Sequence, residues 1–477
     1  MTITDHKARA VLFVSPHLTG ESLLAARAVK QLSDIQLFSI CEQPPAEDSN
    51  EIFEDLIIVD NVFQADQLIA AAHRLKKKYG ALERIVTVHE TLLLPVAQAG
   101  ERLGLPGTSV AAVRRVLDKS CLKQTLRQTG TSVARDRVIS SAADAWSFVD
   151  AVDFPLVLKP LNGSGGLATW CIRDQAHLRL ALQLIQPGTD NPMLAEDYVN
   201  GQELCIDTVT LADEPRFHSI CCYHPPILEA LENPSIQWRC IMPRDINASR
   251  YSEFIEQGLA AIRALSVGNA VTHIEGFLLE DGGVRFTDAT LRPAGARIGP
   301  MLAFAYDIDA HLMWARLMVD GCFDGPWERK YAVGTIFLRG TGHGHIERVE
   351  GLQTLKDQFD NLIVDGRLPQ FGAVKSSTYT GDGFITVRHP ETQVVNETLD
   401  AIADTVSITY SREDPAPKDL DEMNNIANNE ALRKEWAHRL DYFDRQLNRP
   451  VWDEHSLESF DSLRPSMETS SLRHKTT

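Results

Sequence analysis

Residues 273–293 read HIEGFLLEDGGVRFTDATLRP. Two apolar arms, His273–Leu279 and Val284–Ala289, flank the turn residues Asp281-Gly282-Gly283, the pattern of a β-hairpin. If the arms pair as antiparallel strands, Glu275 and Asp288 can face one pocket. Carboxylates are the hard oxygen ligands that Mg²⁺ prefers, usually shared with substrate phosphates. Arg292 lies just beyond the second arm, placed to clamp an anion. Two such acids alone are more often a solvated surface pair, so the rest of the chain must decide.

Upstream, Phe154–Pro160 reads as a buried strand carrying Lys159, and it runs into Gly163-Ser164-Gly165-Gly166. A glycine loop lets backbone N–H groups approach phosphate oxygens, and a lysine on the adjoining strand can neutralise the same phosphates. No Gly-Lys-Ser/Thr closes the loop, so it is not a Walker A motif. A further strand, Met193–Val199, carries Glu196 and Asp197 and ends at Val199. The turn Asn200-Gly201-Gln202 then leads to Glu203. Such a linker can offer backbone groups to an adenine edge, and a carboxylate past the turn suits ribose hydroxyls.

Working toward the N-terminus, strand-like runs (Ala10–Val14, Ile35–Ile40, Asp55–Val59, Arg84–Val88) alternate with helical patterns. That order implies a parallel sheet with helices on both faces. No GxGxxG follows the first strand, which argues against a dinucleotide site. From Val133 to Met318 the pattern is α+β, with another hairpin around Asp213-Glu214-Pro215. Tyr331–Tyr410 reads as short strands with a few helices; beyond Ser411 the chain turns polar, with helical periodicity over Glu430–Gln446.

The 477 residues suffice for about three domains and a large core. A net charge of −18 argues against non-specific nucleic-acid or anionic-membrane binding. The eight cysteines include no CxxC pair and read as reduced, mostly buried thiols. With no signal-peptide pattern and no apolar run long enough to span a bilayer, a cytoplasmic protein is expected.

The ordered set of motifs resembles the ATP-grasp carboxylate–amine ligases. The likeness runs over roughly residues 10–410 and starts at His89-Glu90, ahead of Asp118-Lys119. It implies an α/β and α+β ATP-grasp fold with an open parallel-sheet pre-grasp domain. The boundaries implied are 1–115 for that domain, 116–325 for the ATP-grasp module, 326–412 for a small C-terminal subdomain and 413–477 for a polar helical tail. By the same resemblance Lys119 and Lys159 are the two nucleotide lysines. Gly163, Ser164, Gly165 and Gly166 form the loop over the triphosphate. Glu196, Asp197 and Val199 belong to the adenine hinge, Glu203 holds the ribose, Glu275 and Asp288 hold Mg²⁺ (or Mn²⁺), and Arg292 steadies the acyl phosphate. The run Arg292-Pro293-Ala294-Gly295-Ala296-Arg297 is similar to that of the L-amino-acid ligases, which join two amino acids or an amino acid and an amine.

The implied activity is therefore ATP-dependent, ADP-forming amide synthesis from a small carboxylate and an amine, with a homodimer compatible. Two alternatives stay open. One is an ATP-grasp carboxylase or purine-type ligase; the other is a nucleotide-binding homologue without turnover. The family's usual second metal residues are Glu and Asn; here they are Asp288 and Thr290, which leaves the number of ions open. Trp238, Arg239 and Arg297 are candidate substrate contacts, because they lie in or near loops over the expected scaffold.

Overall fold

The computed structural model describes residues 8–18, 20–44, 51–161, 169–376 and 378–412. The glycine loop at 163–166 and the tail from 413 onward lie outside them. In the first layer, β1 (Arg9–Val14), β2 (Ile35–Cys41), β3 (Asp55–Ile58) and β4 (Leu82–Val86) are all parallel, in the order β3-β2-β1-β4. Burial on both faces explains why β1 reads as one apolar run. Val11 and Phe13 join one core cluster with helix Gly20–Lys30, while Leu12 and Val14 join another with helix Ala65–Tyr79. The sheet grows from β1 in both directions, so the loops after β1 and β4 meet at a topological switch point, where ligands of α/β proteins bind. Ser15 and His89 touch there, Oγ to Nε2, at 2.9 Å.

Four strands make a smaller antiparallel sheet, ordered β5-β8-β6-β7: β5 (Asp136–Ile139), β6 (Leu156–Pro160), β7 (Trp170–Ile172) and β8 (Met193–Asp197). Helices Ala142–Val152 and Gln175–Ile185 close its core, which includes Phe148, Leu158, Ile172, Leu178 and Met193.

Ten strands follow: β9 (Gln202–Leu211), β10 (Glu214–His224), β11 (Trp238–Met242), β12 (Ala270–Leu278), β13 (Val284–Thr290), β14 (Ala332–Leu338), β15 (His343–Glu350), β16 (Ile363–Arg367), β17 (Gly383–His389) and β18 (Ser407–Arg412). Eight of them form one antiparallel sheet, β13-β12-β9-β10-β11-β14-β17-β16, while β15 and β18 pair separately. This large sheet passes through the boundary expected at 325/326, because β14 pairs with β11 from Trp238↔Phe337 to Met242↔Val333. Nothing local in the sequence records that pairing. The turn expected at Asp213-Glu214-Pro215 falls slightly earlier. Ala212 and Asp213 take positive φ (51° and 67°), and Glu214 already pairs with Leu211.

The decisive hairpin forms as read. Glu275 stands directly opposite Asp288, and a bulge follows between Glu275 and Gly276. Gly276 is required there, since a Cβ would sit 2.7 Å from the Arg285 carbonyl oxygen and 3.0 Å from the Phe254 ring. The register also puts Asp207 opposite His273 and Cys205 opposite Glu275. Asp207, His273, Glu275 and Asp288 therefore share one face of the sheet.

Candidate active site

Helix Lys119–Gln128 begins at Asp118, whose side chain accepts from the Cys121 N–H at 3.0 Å. Their i,i+4 spacing puts Lys119 and Lys123 on the same face. Both are buried and both reach carboxylates: Lys119 pairs with Asp288, and Lys123 Nζ lies 2.6 Å from Glu196 Oε1. The other oxygen, Glu196 Oε2, takes Lys159 Nζ at 2.8 Å. Lys123, Glu196 and Lys159 thus form a buried triad with one excess positive charge.

Burial pushes Lys123 down to about 8, with Glu196 pulling the other way. Burial also acts to lower Lys159, but the charges of Glu196 and Asp288 outweigh it and hold the lysine above its ordinary value. Glu196 and Asp288 show the mirror image. Burial would raise each, and the flanking lysines keep each below the usual carboxylate range. Lys159 comes from the small sheet and Asp288 from the large one, so the two sheets face each other across a charged cleft.

Glu203 is buried at the start of β9, and its Oε2 accepts from the Ile227 N–H at 2.5 Å. Burial first, and the charge of Glu275 second, push it up to about 8. Among its own side-chain contacts, Glu275 takes its hydrogen bonds through Oε1: His273 Nε2 lies at 3.2 Å and the Tyr223 hydroxyl at 3.5 Å. Thr290 lies two residues beyond Asp288 on the same strand face. Its hydroxyl is buried and has no hydrogen-bond partner among the described residues. Two carboxylates and an unsatisfied hydroxyl make an all-oxygen donor set, which fits a hard divalent cation such as Mg²⁺.

Arg292 bridges two parts of the chain. Its Nε and Nη2 donate to Glu90 Oε2 at 3.1 and 2.7 Å, and its Nη1 donates to the Pro293 carbonyl at 2.8 Å. Glu90 sits in the loop after β4, at the switch point. Beside it His89 is held neutral: burial lowers it to about 4, helped by the charge of Arg292.

The hinge residues divide. The Glu196 side chain binds the two lysines, while Asp197 Oδ2 pairs with Arg135 Nε at 2.9 Å and its N–H goes to the Arg135 carbonyl. Val199 lies half-buried in the link between β8 and β9.

Two expected substrate contacts need correction. Trp238 is 0% exposed; it stacks on Phe337, meets Tyr223 and Tyr379 edge-on or tilted, and donates from Nε1 to the Pro225 carbonyl. Arg239, next along β11, points to the opposite face and pairs with Asp400. The segment is a strand inside the sheet, so alternation sends one side chain into the core and the other away from the cleft. Arg297 takes φ 62°, pairs with Asp365 and lies over the Phe384 ring at 4.5 Å. Sequence reasoning missed Lys123, Glu90's partnership with Arg292, and His273. Lys123 had a local signal in its helical spacing from Lys119, and His273 in its place two residues before Glu275 on one strand.

No family model matches the chain. The L-arginine-specific L-amino acid ligase of Bacillus subtilis is 24% identical over 237 residues, which is 48% of this chain and 56% of that protein. The chain thus spans little more than half the length of the curated relatives it matches. The solved L-amino acid ligase of Bacillus licheniformis superposes with a TM-score of 0.69 at 17% identity, covering 85% of this chain and all of that one. The chain has the ATP-grasp fold. A 2-oxoglutarate carboxylase biotin carboxylase domain from Hydrogenobacter thermophilus also superposes, with a TM-score of 0.60 at 14% identity over 96% of this chain and 99% of that one. On this fold Lys119 pairs with Asp288, which stands opposite Glu275, while Arg292 pairs with Glu90 from the loop after β4.

Two outcomes are expected. Lys159→Ala leaves Glu196 paired with Lys123, so the variant folds, yet ATP binding weakens. A charge-assisted contact is worth roughly 1.5–3 kcal/mol, or about 10- to 150-fold in affinity. Titration calorimetry checks this, and unchanged affinity removes Lys159 from the site. The second outcome concerns Glu203, whose folded value near 8 exceeds the ordinary 4.5. A raised acid favours the fold below pH ~4.5, and that contribution drains away as pH rises to ~8. Glu203→Gln cannot titrate, so its melting temperature should gain on wild type steadily from pH 5 to pH 8.5. A pH-independent gap contradicts the assignment.

Proposed function

We propose that the protein is an ATP-dependent, ADP-forming ligase that joins an amino-acid-like carboxylate to an amine or second amino acid. The observation that carries this reading is the register of Glu275 opposite Asp288, facing Lys119 and Lys159. The reaction bonds a carboxylate oxygen to the γ-phosphorus of ATP and releases ADP. An amine nitrogen then attacks the acyl carbonyl, phosphate leaves, and the nitrogen sheds a proton.

Phosphoryl transfer asks for positioning and charge neutralisation more than covalent help. Lys119 and Lys159 supply positive charge from two different elements, and Lys123 keeps Glu196 from cancelling Lys159. Glu275, Asp288 and Thr290 would hold a divalent cation, which when bound draws charge from the phosphate oxygens. Glu203 would accept from ribose hydroxyls, and the backbone from Asp197 to Val199 would line the adenine. Arg292, released from Glu90, would stabilise the oxyanion of the acyl phosphate and the tetrahedral species. No cysteine is needed as a nucleophile, since the mechanism forms no covalent bond to the protein.

The relatives named as L-amino acid ligases, together with the run after Arg292, favour amino-acid substrates over bicarbonate. Pairwise phosphate-release screening of amino acids and amines tests the proposal. Phosphate release that needs both partners, with a product mass equal to their sum less water, is expected. Turnover on bicarbonate, or none across a broad panel, overturns it.

Arg292→Ala should lower kcat about 10²–10³-fold, as for loss of an oxyanion contact, with a smaller effect on the KM for ATP. Arg292→Lys should recover little, because an ammonium lacks the planar fork. Near-normal turnover with a lowered melting temperature would make the Glu90 pair purely structural.

A further inference from the structure

Asp207 and His273 form a buried polar pair that no step above uses. They lie 66 residues apart in sequence and directly opposite in register, and they are 6% and 8% exposed. His273 Nδ1 is 2.9 Å from Asp207 Oδ1. Its other nitrogen, Nε2, is 3.2 Å from Glu275 Oε1. Each ring nitrogen faces a carboxylate oxygen, and the ring cannot rotate without losing a contact. Cys205 Sγ closes the far side, donating to Asp207 Oδ2 at 3.5 Å. The Tyr223 hydroxyl lies 3.4 Å from Nε2 and 3.5 Å from Glu275 Oε1.

The cysteine, aspartate and histidine come close enough to be read as a metal site. Their donor atoms, however, are spent on one another and on Glu275, which is what a closed hydrogen-bond relay requires. Burying such groups costs stability unless every partner is satisfied, and an apolar trio would pack this face more cheaply. What the relay gains is direction. It engages Glu275 through Oε1 alone, and Oε2 bonds none of the described residues.

We propose that Asp207 and His273 are positioning residues that lock the Glu275 carboxylate through Oε1, so that Oε2 would be presented to the divalent cation of the nucleotide. Histidines bound directly to metals are oriented by carboxylates in the same way. Here the histidine stands one step further out and orients a carboxylate instead. The proposal rests on Glu275 being a cation ligand in the proposed function.

Mn²⁺ binding in the presence of ADP, followed by electron paramagnetic resonance, tests it without turnover. His273→Ala should weaken Mn²⁺ binding about 10- to 100-fold, the usual effect of losing an orienting partner, and leave metal-free ADP binding unchanged. Asp207→Ala should behave alike. Asp207→Asn, whose amide oxygen still accepts from Nδ1, should retain most of the affinity. A purely structural pair would move the melting temperature in all three variants and the Mn²⁺ affinity in none, which overturns the relay. If His273→Ala does not fold, His273→Leu, which keeps the bulk but has no donor, takes its place with the same two outcomes. Wild-type protein that binds no Mn²⁺·ADP would sink the cation reading itself, and the relay with it. Wild-type binding matched by the variants would sink the relay alone.

Discussion

Among the described residues, the cations of this site are each held by a carboxylate of the protein itself. Lys119 is paired with Asp288, Lys123 and Lys159 share Glu196, and Arg292 rests on Glu90. Charges this deeply buried cannot persist alone, because the cost of removing them from water is several kcal/mol per ion. The pairs come from separate elements: a helix, the small sheet, the large sheet and the loop after β4. They therefore fix where those elements sit. Under the proposed function a polyphosphate would compete with Glu196 and Asp288 for the lysines, and a metal would compete with Lys119 for Asp288. Binding both together would exchange one set of charge pairings for another, which is less costly than binding either alone.

The division of labour among the sheets follows from this. The large sheet is the platform, because its register aligns Asp207, His273, Glu275 and Asp288 on one face. The small sheet brings Lys159 and Glu196 over it, with helix Lys119–Gln128 supplying two more cations from the side. The parallel sheet delivers Glu90 to Arg292 at its switch point, so that the third layer also ends at the cleft.

How much of this was legible in the sequence depends on how local each signal was. Glu275 and Asp288 could be read because a tight hairpin joins them, and hairpin register follows from its turn. The parallel first sheet could be read from the alternation of strand-like and helical segments. Lys123 was legible in principle at one helical turn from Lys119. The Asp207–His273 pair was not, because β9 and β12 meet only after the chain has made β10 and β11. The same long-range pairing hid the true setting of Trp238 and Arg239. They looked like loop residues over a scaffold, yet β11 lies between β10 and β14 and buries one while turning the other away.

The claim that these parts make an acyl phosphate is tested most directly by oxygen transfer. The carboxylate substrate selected by phosphate-release screening is labelled with ¹⁸O in its carboxyl group, and the released phosphate is weighed by mass spectrometry. Attack of the carboxylate on the γ-phosphorus carries one carboxyl oxygen into phosphate, so one ¹⁸O per phosphate is expected from fully labelled substrate. Phosphate that takes its oxygen from water and none from the carboxylate would contradict the account.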